Sequence, residues 1–292
     1  MSYANNIQAI AAANRLRNRL GVSEDEVVNP FAAIRDLGGV LAFQQNAGPL
    51  GLTVRIGRKI GVQINASFSE HIQRYTAAHE LGHIALVHDG VKVDGQDVIL
   101  GFTRDPDEIA AQLFAGSFLM PQYLLTGTLQ RWTLDRAHPT PTEVYHTSRD
   151  LLVSYEATVR QLERYGAITP NQRQALLGAS IAEIKRRLGT GIAMQDAHHD
   201  LWIRQPHPHI DAELRVGDEL IVSDCPGEWA VGTPNRVRIL LSHPGELRLG
   251  ALAAGPWRVS QGTSQIAGTI APAPARESAA YWRLTDPERS ST

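Results

Sequence analysis

Residues 69–88, SEHIQRYTAAHELGHIALVH, constrain the fold more than any other segment, because the spacing of apolar residues changes there. Upstream, the runs VLAFQQ, LGLTVRI and IGVQIN are rich in apolar and β-branched residues and are bounded by Gly and Asn, which is typical of short strands. Within residues 69–88 the apolar residues recur about every 3.6 positions, the period of an α-helix. The sequence therefore predicts a small sheet followed by one long helix.

Helical patterns also flank this sheet and helix. We predict one helix that ends at Gly21, a second that begins after Ser23 and ends before Gly38, and a third over residues 105–120. The residues between 90 and 106 are polar and interrupted by glycine, so they predict a surface loop. Further helical stretches follow a Pro-rich linker after residue 131.

The character of the chain changes near residue 190, where Pro and Gly begin to punctuate short apolar runs. We predict an α+β protein with three domains: 1–130 with the small sheet and long helix, 140–189 helical, and 190–292 rich in β-strands. In the last of these, tryptophan side chains among the strands favour a packed core over a ligand cage. They are Trp202, Trp229, Trp257 and Trp282.

Composition excludes several classes of protein. Cys225 is the only cysteine, which rules out an intramolecular disulfide or a thiolate zinc cluster, so His and carboxylate side chains must hold any metal. The net charge of −2 argues against a dedicated nucleic-acid binder. No apolar run approaches the roughly 18 residues that cross a bilayer, and the first residues lack a signal-peptide pattern. We therefore expect a cytoplasmic protein without a membrane partner.

The chemistry centres on His79, Glu80 and His83. Two histidines four residues apart lie on one face of a helix and can bind one ion, while Glu80 is offset and suits a general base that acts on water. The alternative is a surface helix with merely polar histidines. Small neighbours argue against it, because they leave room for close packing and for the ion; these are Ala77, Ala78, Gly82 and Ala85.

A third ligand must come from elsewhere in the chain, and Glu108 in the first turns of the downstream helix is the best candidate. Asp105 and Asp107 are its rivals, although acidic residues at a helix N-terminus also stabilise the helix itself. Zinc suits imidazole and carboxylate ligands, and three protein ligands leave a catalytic position open. Manganese and iron are alternatives that the sequence does not distinguish. His88 is interpreted as a packed residue or a support for the ligands.

These segments resemble the ImmA/IrrE family of metallopeptidases over roughly residues 5–165. The family shows a strand that ends in Asn, a helix with R-x-x-x-x-H-E-x-x-H, and a second helix of the form E-x-x-A-N-x-F-A that closes with L-M-P. The matching residues are Arg74, His79, Glu80, His83, Glu108, Ala111, Phe114, Ala115, Leu119, Met120 and Pro121. Gln112 departs from the pattern, since the family usually has Asn or Asp at that position. Gln holds an imidazole less firmly than a carboxylate would.

The resemblance implies a zincin-like peptidase domain with zinc held by two histidines and one glutamate. It also implies a protein substrate, a helix-turn-helix repressor whose cleavage releases stress-response or mobile-element genes. An oxyanion stabiliser is expected as well. Tyr123, His138, Tyr145 and His146 are the candidates, of which Tyr123 and His146 are retained. The rival function is a metal-binding transcriptional regulator or scaffold without turnover, which would not need Glu80 beside the metal.

The segments after residue 140 suggest additional roles. The run SYEATVRQLERYG fits the outline of a helix-turn-helix element. Basic residues nearby make DNA contact a secondary hypothesis; they are Arg160, Arg164, Arg173, Lys185, Arg186 and Arg187. The resemblance also suggests that the β-rich C-terminal domain is a GAF-type sensor. His207 and His209 are flanked by prolines, which favours a surface loop over a metal site.

Overall fold

The computed structural model describes residues 3–45, 47–88, 91–94, 104–133, 138–188, 199–210, 214–225 and 227–271. The described residues form two compact units. The first takes in those of Met1–Pro139 and Thr147–Arg173, and the second those of Thr140–His146 and Gln174–Ala273. The three-domain division, the zincin-like architecture and the helix-turn-helix element stay predictions. Trp282 and the last residues lie outside the described part.

Helices and strands are both present in the described residues, which confirms an α+β fold. The helices are α1 (Tyr3–Arg19), α2 (Pro30–Asp36), α3 (Glu70–Ala85), α4 (Pro106–Leu119), α5 (Gln122–Trp132), α6 (Pro141–Asp150), α7 (Tyr155–Arg164), α8 (Pro170–Leu177) and α9 (Ile181–Leu188). The strands are β1 (Gly39–Gln44), β2 (Gly51–Ile56), β3 (Lys59–Asn65), β4 (Val91–Asp94), β5 (Leu201–Arg204), β6 (Leu214–Arg215), β7 (Glu219–Ser223), β8 (Ala230–Val231), β9 (Val237–His243), β10 (Glu246–Ala251), β11 (Gly255–Gln261) and β12 (Ser264–Ala271). Among these helices, none has the length and apolar character needed to cross a membrane.

The first unit contains a four-stranded sheet in the order β1-β3-β2-β4. Strands β2 and β3 form an antiparallel hairpin, β1 runs parallel to β3, and β4 runs antiparallel to β2. The surface loop predicted for residues 90–106 was wrong for Val91–Asp94, because these residues pair with the open edge of β2. Helix α2 is also shorter than expected, since Asn29 caps its start by accepting hydrogen bonds from Phe31 and Ala32.

Helix α3 directly follows this sheet, as expected, but it ends at Ala85 instead of continuing to residue 88. Val87 has φ 59°, a left-handed conformation that stops the helix. The backbone then turns back, so that the amide of His88 donates to the carbonyl of His83 at 3.0 Å. His88 therefore lies beside the last turn of α3.

Helix α4 packs closely against α3. Asp105 caps its start by accepting a hydrogen bond from the amide of Asp107, and Pro106 occupies the first turn. A Cβ atom on Gly82 of α3 would lie 3.0 Å from the Cα of Ala111 on α4, so glycine is what allows this approach. The two helices that carry the predicted ligands are thereby held side by side.

The second unit is built mainly from two four-stranded sheets, β5-β7-β10-β9 and β6-β12-β11-β8. The tryptophan side chains in this unit are buried, with Trp202 3%, Trp229 8% and Trp257 1% exposed. The described tryptophans thus pack as the sequence predicts. Asp218 is also buried, and its carboxylate accepts hydrogen bonds from the amides of Asp200 and Arg215 and from the indole of Trp202.

Candidate metal centre

Three side chains on α3 and α4 point their ligand atoms at one place. His79 and His83 lie one turn apart on α3, and Glu108 lies in the first turn of α4. The Nε2 atom of His79 is 3.0 Å from Oε2 of Glu108, and the Nε2 atom of His83 is 3.2 Å from the same oxygen. The two Nε2 atoms are 3.2 Å apart. All three residues are buried.

These separations fit one divalent metal ion. Ligand bonds of roughly 2.0–2.1 Å in a tetrahedral site place neighbouring ligand atoms about 3.3 Å apart, close to the spacing of these three atoms. Two imidazoles and one carboxylate are also a donor set that zinc accepts. The cluster therefore has the geometry and the chemistry to hold a metal ion.

The charge of the cluster is set by its own members. Burial alone would raise the pKa of Glu108, but hydrogen bonds from His79 and His83 outweigh burial and hold that pKa well below its usual range. The carboxylate is therefore ionised at neutral pH. An ionised oxygen is the form that binds a metal ion.

Glu80 is fully buried next to the ligands, yet strand β2 holds its carboxylate. The hydroxyl of Thr53 donates a hydrogen bond to Oε2 of Glu80. A Cβ atom on Gly51 would lie only 2.0 Å from Oε1 of the same carboxylate, so the backbone of β2 comes very close. Gly51 and Thr53 thus position Glu80. Sequence reasoning missed both residues, since they precede Glu80 by more than two dozen positions and belong to no motif.

His88 and Asp107 lie behind His83. The Nδ1 atoms of His83 and His88 are 2.9 Å apart, and Nε2 of His88 is 3.7 Å from the carboxylate of Asp107. A ring that contacts the second nitrogen of a ligand histidine orients that histidine toward the metal. The structure therefore places Asp107 beside this supporting ring, and Asp105 at the cap of α4.

Two of the candidate oxyanion stabilisers, Tyr123 and Tyr145, have other hydrogen-bond partners. The hydroxyl of Tyr123 accepts from Arg17 at 3.2 Å, and the Tyr123 side chain is exposed. Tyr145 and His146 belong to the second unit, where the Tyr145 hydroxyl donates to Asp200 at 3.4 Å. His138 is exposed. The assignment of an oxyanion stabiliser to Tyr123 or His146 stays a prediction.

Two other predicted features are also located. His207 and His209 are exposed, and Nδ1 of His207 contacts the carbonyl of His209 at 2.8 Å, a local turn contact. Gln112 is buried and lies one turn beyond Glu108 on α4. The position that departs from the family pattern therefore lies on the same face of α4 as the carboxylate ligand.

Comparison with known protein families bears directly on this centre. Residues 51–163 match the model of the peptidase family M78, described as the IrrE N-terminal-like domain. Over these residues the chain resembles an IrrE N-terminal-like domain. The match confirms the resemblance to the ImmA/IrrE family and includes all four residues of the centre. No curated protein matches the chain.

The IrrE N-terminal-like domain is of metallopeptidase type, which implies a metal cofactor and a protein substrate. In the structure, the group of His79, His83 and Glu108 is where such a metal would bind. The matched range begins at Gly51. The strand residues that hold Glu80 therefore lie within the matched range, together with the helices that carry the ligands.

Proposed function

We propose that this chain is a zinc-dependent, site-specific endopeptidase. The observation that carries the proposal is the convergence of three buried ligand atoms within 3.2 Å of one another. A fourth buried side chain, Glu80, follows His79 on α3, and its carboxylate accepts a hydrogen bond from Thr53 of β2. A structural metal site would fill its fourth position with another protein ligand and would need no such base.

His79, His83 and Glu108 would hold the metal, for which zinc is our first choice, with manganese or iron as alternatives. When bound, the metal supplies Lewis acidity that polarises the scissile carbonyl and makes a water molecule more acidic. Glu80 accepts the proton as that water attacks the carbonyl carbon, and then delivers it to the amine that leaves. Thr53 keeps the Glu80 carboxylate in a fixed orientation during both transfers.

We further propose a helix-turn-helix repressor as the substrate, with derepression of stress-response or mobile-element genes as the result. This part of the proposal draws on the resemblance to the ImmA/IrrE family. The β-rich part of the chain, whose strands begin at Leu201, is proposed as a sensor, and DNA contact is a secondary proposal. The cytoplasm is the proposed location, because a transcriptional repressor acts on DNA inside the cell.

The test compares the zinc-loaded protein with Glu80→Gln on a bacterial proteome whose new N-termini are labelled and identified by mass spectrometry. Glu24→Gln makes the same change at an exposed carboxylate and serves as the control. We expect a few new N-termini, concentrated in helix-turn-helix proteins, with the wild type and with Glu24→Gln. Loss of the general base should slow cleavage about 10³-fold in Glu80→Gln.

Metal content is measured on the same three proteins. Equal cleavage by the wild type and Glu80→Gln would refute the role of Glu80. Cleavage by none of them, with metal bound to all, would favour a metal-binding regulator without turnover. Cleavage of many unrelated proteins would refute site specificity.

A further inference from the structure

A cavity of about 410 Å³ opens in the first unit between α3, α4 and α7. Its volume is in the range of pockets that bind ligands in proteins. Apolar surface comes from Ile72, Met120 and Ala157, and polar groups come from all three helices. The cavity is therefore large enough for a peptide side chain together with part of its backbone.

The cavity begins next to the metal ligands. Tyr75 lines it and lies one turn before His79 on α3, while Gln112 lines it and lies one turn after Glu108 on α4. Residues four apart on a helix are separated by about 6 Å along its axis. A substrate bound at the metal would thus reach this cavity with a side chain close to the scissile bond.

The charged residues on α7 leave one cation uncompensated. Arg160 pairs with Glu156 at 2.6 Å, and Glu163 pairs with Arg173 at 3.4 Å. Arg164 donates to the amide oxygen of Gln161 at 2.9 Å, and no carboxylate among the described residues lies within 4.0 Å of its guanidinium. A positive charge without an acidic partner favours an anionic group in the cavity.

Packing keeps this guanidinium at the cavity wall. A Cβ atom on Gly116 of α4 would lie 2.9 Å from Nη1 of Arg164 and 2.6 Å from Oε1 of Gln161. Glycine at this position therefore lets both side chains lie against α4. Tyr75 lies close enough to Arg160 and Arg164 to feel their charge, but burial has the larger effect and raises the pKa of Tyr75. Its phenol therefore stays protonated and can donate a hydrogen bond.

We propose that this cavity binds an acidic side chain, Asp or Glu, of the peptide substrate close to the bond that is cleaved. Arg164 is the partner of the substrate carboxylate and determines the specificity. The proposal rests on the peptidase function proposed above.

The first arm of the test measures cleavage. Zinc-loaded protein is incubated with a peptide library made from a digested proteome, and cleavage sites are read by mass spectrometry, with Glu80→Gln as background. We expect Asp and Glu to be enriched at one position near the cleaved bond. Arg164→Gln should lower kcat/KM about fivefold for an acidic peptide relative to its amide counterpart, a modest factor because water screens an exposed guanidinium.

Two further variants sharpen this arm. Arg164→Glu should shift the preference toward Lys and Arg, and Arg164→Lys should retain part of the acidic preference. Arg187→Gln is the matched control, since it removes an exposed arginine from α9 of the second unit. Its cleavage profile should equal that of the wild type.

The second arm measures binding without turnover. Zinc-loaded Glu80→Gln protein is titrated with two fluorescent peptide pools that differ only in a central Glu or Gln, and anisotropy is recorded. The Glu pool should bind about fivefold more tightly, and adding Arg164→Gln should remove the difference. Charge-selective binding in this arm, with no cleavage by the wild type in the first arm, would refute the peptidase and keep the pocket. Cleavage without an acidic preference, or with one that Arg164→Gln does not change, would overturn the pocket and keep the peptidase.

Discussion

The two units of the molecule each bury carboxylates, but in different ways. In the first unit, Glu108 and two histidines direct their ligand atoms at one point, within 3.2 Å of one another. In the second, the carboxylate of Asp218 spreads its hydrogen bonds over two backbone amides and an indole, at 2.7–3.3 Å. The first arrangement leaves a place for an ion, whereas the second is already complete within the protein.

The pKa values of the two carboxyl groups move in opposite directions. Burial raises the pKa of Asp218 to about 7, and the nearby charge of Asp200 adds to this, against the hydrogen bonds that it accepts. For Glu108 the histidines outweigh burial and lower the pKa. A buried carboxylate kept charged by convergent ligands indicates a binding site, and one whose neutral form burial favours indicates a structural role.

The largest expected effect comes from removing the convergent carboxylate. Glu108→Ala should weaken zinc binding at least 100-fold, because two histidines cannot complete the site and the negative charge of the carboxylate is lost. Zinc content of the purified protein, measured by mass spectrometry, and competition with a chelator check this result.

Asp107→Asn is the control for Glu108→Ala, because it changes a neighbouring carboxylate that contacts His88. It should keep stoichiometric zinc, with at most a modest loss of affinity. Zinc unchanged in Glu108→Ala and lost in Asp107→Asn would assign the third ligand to Asp107 and abolish the contrast between the units.

Much of this arrangement could be predicted from the sequence, because its parts are local. His79 and His83 are separated by one helical turn, and Glu108 follows a capping Asp105 and Pro106, so the helix positions fix the ligand faces. Most strands of the second unit also follow the predicted apolar runs. The end of α3 was missed, since a β-branched residue such as Val87 rarely adopts positive φ.

What the sequence did not predict depends on long-range pairing. Gly51 and Thr53 reach Glu80 only because β2 is central in its sheet and lies against α3. The buried carboxylate of Asp218 likewise depends on its neighbours Asp200 and Trp202, which are far from it in sequence. Spacing along the chain carries no information about such contacts.

A smaller effect is expected in how the free energy of unfolding depends on pH, through Asp218 of the second unit. The pKa of Asp218 is about 7 in the folded protein, above the ordinary value of 3.8, so the folded state binds more protons between these values. Its contribution to stability is therefore full below pH 4 and is lost as the pH rises through 7. From pH 5 to 7 the free energy of unfolding should fall by about 2 kcal/mol more in the wild type than in Asp218→Asn.

Urea unfolding followed by tryptophan fluorescence at each pH measures this difference. Asp224→Asn is the control, since Asp224 is exposed in the same unit and its φ of 56° is one that asparagine readily adopts. It should track the wild type at every pH. Parallel curves for the wild type and Asp218→Asn would show that Asp218 does not titrate in this range.

The smallest expected effect concerns how strand β2 holds the general base. In Gly51→Ala the new methyl group would meet Oε1 of Glu80 at 2.0 Å and Cγ2 of Thr76 at 2.6 Å. The Glu80 carboxylate is the end of a flexible side chain, so it should move while the metal ligands stay in place. We expect kcat to fall about tenfold with zinc content unchanged, since a misplaced base transfers protons poorly. Gly61→Ala, on the neighbouring strand, adds the same methyl group where no atom lies within 4 Å, and it should leave kcat unaltered. If both variants keep full activity, close contact with β2 does not position Glu80, and only the three metal ligands are held in a fixed geometry.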